Sequence, residues 1–220
     1  MESGSHRDTT MYLATKALPE LPELLTRTAG NSAFYAGLTR VDGISDIGET
    51  AGYSAQPGYR LIRVDHRPHE GSANDFEIAL VDDAEASVAF YTKVTLLSAP
   101  EVSSRYLARH RVWRSASTRH SLALSEISRT VLFGYILPRY DLLLGEDAIT
   151  GDGKFYWHRQ MSRALQLGFH VYVYDQTTQA LRSIPADCEL SSLQDQIWSS
   201  SRREPLQGFI STGPLNQLEC

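Results

Sequence analysis

The sequence predicts an α+β protein in which a mixed, mostly antiparallel sheet is completed by a βαβ C-terminal half. Three observations carry this. Residues 76–115 hold three segments rich in β-branched and aromatic residues, separated by short polar turns, as antiparallel strands require. Residues 122–137 and 150–168 repeat apolar side chains at helical spacing. Apolar segments at 142–145 and 170–174 flank the second helix, and two strands around one helix predict a parallel crossover. The antiparallel strands come first and the helices late, which selects α+β over a regular alternation.

A chain of 220 residues, 42% of them hydrophobic, can bury one sizeable core without staples. Residues 1–10 are small and polar and predict a disordered leader. Residues 11–220 read as one domain, with an irregular N-terminal region (11–75), a core (76–175) and a C-terminal extension (176–220). Cys188 and Cys220 match no metal-ligand spacing and predict free thiols in a reducing compartment. No apolar run approaches the roughly 20 residues of a membrane span, and the N-terminus lacks a charged-then-apolar signal. A cytoplasmic protein with no membrane partner is expected. A net charge of −5 disfavours nucleic acid as a partner. Arg105, Arg109, His110, Arg111, Arg114 and Arg119 nonetheless concentrate positive charge, so a local nucleic-acid contact stands beside the simpler reading of an outward strand face.

Each element follows from local chemistry. Leu18, Leu21, Leu24 and Leu25 recur at helical spacing, and Pro19 and Pro22 confine the helix to a start near Pro22. Residues 30–72 are rich in Gly, Asn, Asp and Ser, relieved by Phe34, Tyr35 and the run 59–64, which predicts a functional loop. His66, Arg67, His69 and Glu70 lie close together there, but Pro68 and Gly71 mark an exposed turn, so no metal is expected. Residues 76–81 and 87–97 predict a hairpin, and 106–115 a third antiparallel strand. In the helix over 122–137, Leu124, Ile127, Val131, Leu132, Tyr135 and Ile136 form one stripe, with Ser125 as its cap and Pro138 beyond its end. After the strand at 142–145, Thr150 caps the next helix, Asp152 complements its dipole and Gly168 supplies a left-handed stop. Phe155, Trp157, Met161, Ala164 and Leu165 form its buried side. A short helix over 191–199 and an edge strand over 206–210 end the chain, and the exposed edge near Phe209 would support a homodimer.

This order of elements resembles the GNAT superfamily of N-acyltransferases over residues 76–175. The strand ending in Glu146 and Asp147, then Thr150, Gly151, Trp157 and the strand from Val171 to Asp175, also resembles the C-terminal half of GNAT-like proteins of phages and mobile elements. The resemblance implies transfer of an acyl group from acetyl-CoA or another acyl-CoA to an amine-bearing substrate. It places the donor's pyrophosphate on main-chain N–H groups at a helix start, in a Gln/Arg-x-x-Gly-x-Gly/Ala turn. The corresponding residues run from Arg119 to Leu124. Arg119 fills the first position, but Leu122 and Leu124 replace the glycine and the small residue, which makes this a degenerate donor loop. Donor binding would then rest on the side chains of Arg119, His120, Ser121 and Ser125.

Attack of an amine on a thioester needs a base and a group that polarises the carbonyl. Asp147 and Glu146, paired carboxylates at a strand end, are the candidate bases. His158 lies one turn into the following helix and could face the same crevice, and Tyr91 is a candidate for polarising the carbonyl. Other readings carry less. The turn from Gly151 to Lys154 lacks the longer glycine spacing and the hydroxyl residue of a P-loop, and Asp152 would repel an anion. Arg114 to Thr118 followed by Glu126 resembles the Arg, Ser-Thr-Ser and Glu elements of ADP-ribosyltransferases, although Glu126 falls on an expected helix. The rival to an enzyme is a non-catalytic α+β module that binds a protein partner through the 105–119 strand and the 30–72 region.

Overall fold

A computed structural model describes residues 20–65, 74–144, 152–199 and 206–216. Two helices, α1 (Glu20–Thr26) and α2 (Thr28–Thr39), lead into the short strand β1 (Ile44–Asp46) and a single helical turn, α3 (Gly48–Ala51). Strands β2 (Tyr59–Asp65), β3 (Asp75–Asp82), β4 (Ser87–Leu97) and β5 (Leu107–Arg114) follow. Helix α4 begins as Ile127–Arg129 and continues as a π-helix over Thr130–Ile136. The second half holds β6 (Asp141–Leu144), α5 (Asp152–Gln166), β7 (His170–Asp175), β8 (Ala180–Ser183), α6 (Asp187–Ser199) and β9 (Leu206–Ser211).

All nine strands share one sheet in the order β1-β2-β3-β4-β5-β6-β9-β7-β8. Its ladders are antiparallel except for β5 with β6, so the fold is α+β with a mixed, mostly antiparallel sheet. One face, carrying Leu61, Ile78, Leu80, Val94, Ala108 and Leu142, packs under α3 to α6 in the main core. The other is covered in two places. Helices α1 and α2 lie on Ile62, Val64, Ala79 and Tyr91, while Ala99, Val102 and Leu215 cover Leu107, Leu143 and Phe209.

The structure corrects the sequence reading at four places. The region expected to be irregular contains α2, β1, α3 and β2. Its glycines misled because one is a packing residue: a Cβ on Gly30 would fall 2.4 Å from the Leu24 carbonyl oxygen, so glycine lets α2 close on α1. The last strand is not an edge. β9 lies between β6 and β7, antiparallel to both, and Phe209 is buried, which removes the basis for a homodimer through that edge. β6 and β7 run in the same direction, as a crossover requires, but β9 separates them. Finally, the helix expected from residue 122 starts at Ile127. Glu126 before it is left-handed, with φ 59°, and Ser125 does not cap it. Among the described residues no helix is long and apolar enough to cross a membrane.

Candidate functional site

Asp147 and Glu146, with Thr150 and Gly151, lie outside the described residues, as do His66, Arg67, His69 and Glu70. Tyr91 is buried on the sheet face beneath α1 and α2, where its hydroxyl donates to the Glu77 carboxylate. It therefore sits on the opposite side of the sheet from α4 and α5. His158 is half-buried on α5, and its Nε2 is buried without a hydrogen-bond partner.

The four residues chosen for a donor belong to a turn that closes on itself. The Ser121 N–H donates to the Thr118 carbonyl at 3.1 Å, the Leu124 N–H to His120 at 2.8 Å, the Ser125 N–H to Leu122 at 3.1 Å and the Ile127 N–H to Leu124 at 3.3 Å. Four of the main-chain donors that would meet a phosphate at an open helix start are occupied here. The side chains are tied down as well. Arg119 reaches Asp82 at 3.3 Å and Glu85 at 3.1 Å. His120 is 4% exposed and shares a 2.8 Å hydrogen bond between its Nδ1 and the Tyr59 hydroxyl. Burial, helped by the Arg119 charge, lowers the His120 pKa and keeps the ring neutral. Tyr53 adds a bond from its hydroxyl to the Ala123 carbonyl at 3.0 Å. Thr118, Arg119, Ser121, Leu122, Ser125 and Glu126 are left on the surface, and Leu122 is 68% exposed. This cluster fastens the 118–126 turn onto the ends of β2 and β3.

The residue that sequence reasoning missed is His110. Arg109, His110 and Arg111 read as one basic run, but strand alternation divides them. His110 pairs with Val94 and stands beside Ala108 on the face under α5, whereas Arg109 and Arg111 point to the other face. That alternation was the available signal. His110 Nε2 lies 3.0 Å from the Tyr156 hydroxyl on α5, while its Nδ1 is buried with no partner. Burial alone pushes the His110 pKa down to about 4. Burial likewise raises the Tyr156 pKa, opposed by the positive charge of Arg159. At neutral pH the pair is a neutral imidazole against a protonated phenol.

Two further facts mark this spot. The described β5–β6 ladder has Leu107 opposite Asp141, Ala108 opposite Leu142 and Arg109 opposite Leu143. β5 runs on to Arg114, and the chain that follows β6 lies outside the described residues. In addition, unpartnered buried polar atoms gather on this face. Thr92 Oγ1 on β4, fully buried, and Trp157 Nε1 on α5, 4% exposed, have no hydrogen-bond partner. Trp157 lies against Gly208 of β9, where a Cβ would fall 2.7 Å from the indole nitrogen.

The arginine patch is not a single surface. Arg105 is held by the buried Asp141 carboxylate at 2.8 Å, the Leu137 carbonyl and the Thr212 hydroxyl. Arg119 is bound as above, and Arg109 and Arg111 share a face with Lys93. Among the described residues no group of His, Cys, Asp and Glu could hold a metal ion. No family model, curated protein or solved structure matches the chain.

Proposed function

We propose that this chain is a GNAT-like acyltransferase that moves an acyl group from acyl-CoA to an amine, with His110 and Tyr156 at its centre and a degenerate donor loop. The observation that carries the reading is the half-buried His110–Tyr156 pair, with Nε2 3.0 Å from the hydroxyl and Nδ1 without a hydrogen-bond partner among the described residues. The amine nitrogen attacks the thioester carbonyl carbon, the C–S bond breaks, and an amide and a thiol result. His110, neutral at working pH, takes the proton leaving nitrogen, and Tyr156 gives its proton to the departing thiolate. The 3.0 Å bond between them then passes the Nε2 proton from imidazolium to phenolate, leaving both groups neutral with the ring proton on Nδ1, and exchange with solvent restores the starting tautomer.

The closed 118–126 turn changes what is expected of the donor. With four of the turn's main-chain donors used internally and Arg119 paired with Asp82 and Glu85, the phosphates find fewer donors here, the exposed hydroxyls of Ser121 and Ser125 among them, so affinity for CoA esters is weak. Calorimetry with acetyl-CoA on the folded protein tests the reading. Binding in the high micromolar range supports it, and no heat at millimolar donor removes it. The same closed turn favours the second reading, a non-catalytic module that binds a protein partner, and this becomes the account if acetyl-CoA does not bind.

A further inference from the structure

The sequence holds two Asp-Gly pairs, Asp42-Gly43 and Asp152-Gly153, and the fold places them in different surroundings. Asp42 and Gly43 are both exposed, in the turn that carries the chain from α2 into β1. Gly43 is left-handed, with φ 86°, a backbone state that favours glycine. The Gly43 carbonyl accepts a long bond, 3.4 Å, from the Asp65 N–H. Asp152 and Gly153 instead open helix α5.

An aspartate followed by glycine can react with its own backbone. The main-chain nitrogen of the glycine attacks the side-chain carboxyl carbon and a five-membered imide forms. The N–H hydrogen and the carboxyl OH leave together as water. A side chain on the next residue would crowd that nitrogen, and glycine has none. Water then opens the imide. Cleavage of the bond from nitrogen to the side-chain carbonyl regenerates aspartate. Cleavage of the bond to the main-chain carbonyl leaves the chain running through the side-chain carbon, which is isoaspartate. One water is lost and one gained, so no other reactant is needed. Closing the ring turns ψ of the aspartate away from the helical value of about −42°. A helical aspartate must therefore leave its helix before it reacts, whereas an exposed turn is distorted at a lower cost.

We infer that Asp42 is a site of spontaneous isoaspartate formation and that helix α5 protects Asp152 from the same reaction. This does not depend on the acyltransferase reading. Its consequence falls on the sheet, because isoaspartate lengthens the main chain by one carbon just ahead of β1. Ile44 of β1 pairs with Val64 and packs against the core beneath α2. β1 is the first strand of the sheet order, so this strand shifts against β2 while the ladders beyond β2 keep their register.

The test holds the full chain at body temperature and pH 6 for several weeks, one sample folded and one unfolded in guanidinium chloride. After digestion, the isoaspartate form of each Asp-Gly peptide is the fraction that keeps its mass but resists an Asp-specific protease at that residue. In the folded chain, at least tenfold more isoaspartate at Asp42 than at Asp152 is expected, with comparable amounts at both in the unfolded chain. Equal amounts at the two sites in the folded chain, an excess at Asp152, or no product at Asp42 overturns the inference. Asp42→Glu, whose ring would need six members, should abolish the product at that position. A product that survives Asp42→Glu removes Asp42 as its source.

Discussion

His120 is buried and His110 half-buried, and burial lowers the pKa of both, yet their surroundings differ in one respect. His120 belongs to a closed set in which Tyr59, Asp82, Glu85 and Arg119 supply partners. His110 has one partner, Tyr156, and an open Nδ1. A satisfied polar cluster stabilises and fixes a fold, whereas a half-satisfied one costs stability and persists where something else completes it. His120 is therefore a fastener, whereas His110 keeps a ring nitrogen without a partner among the described residues.

The largest expected difference comes from replacing each pair by apolar side chains. His120→Leu with Tyr59→Phe leaves Asp82 without two of its polar neighbours and loosens the 118–126 turn, so a loss of about 2–3 kcal/mol is expected. His110→Leu with Tyr156→Phe removes both partners of an isolated pair together with an orphaned nitrogen, and the change should stay within about 1 kcal/mol or be stabilising. Urea unfolding of the two double variants measures the contrast. Equal losses would erase the distinction.

Acid should act through His110 to a similar extent. Its folded pKa of about 4 lies below the ordinary 6.5, so between those values the unfolded chain binds the extra proton. The contribution is complete above pH 6.5 and is lost as pH falls toward 4, by at most about 3 kcal/mol. His110→Gln should flatten that acid limb. A limb unchanged by His110→Gln would mean that other groups dominate the acid loss.

Close packing around α3 and α4 sets a smaller effect. A Cβ on Gly134 would lie 2.3 Å from the Ala51 carbonyl oxygen, so Gly134→Ala should cost about 1–3 kcal/mol through a displaced backbone, read as a lower thermal midpoint. The smallest change expected is that of Tyr59→Phe alone, about 1 kcal/mol, since Asp82 and Arg119 remain near His120. Its rate of acyl transfer should equal that of the parent chain.

The contrast also explains what was legible in the sequence. Strands β3, β4, β5 and β7 were, because runs rich in β-branched and aromatic residues such as 87–97 favour strands, and β4 is covered on both faces. The mixed sheet followed from their order. The insertion of β9 between β6 and β7 was not, because the pairing partner of a short apolar segment is set by tertiary packing. Gly30 read as loop chemistry when it is a contact between helices. The 119–125 turn was located, but whether its N–H groups point outward or bond to each other depends on backbone angles such as the left-handed Glu126. His110 was hidden by its arginine neighbours, since charge along the chain says nothing about which face a strand residue takes.

The central claim is that His110, not His120, does chemistry. Thiol release from acetyl-CoA with an amine acceptor, measured on folded His110→Ala and His120→Ala side by side, tests it most directly. General-base catalysis contributes roughly 10²–10⁴-fold, so the account predicts at least a hundredfold loss for His110→Ala and less than tenfold for His120→Ala. Equal rates in the two variants would contradict it.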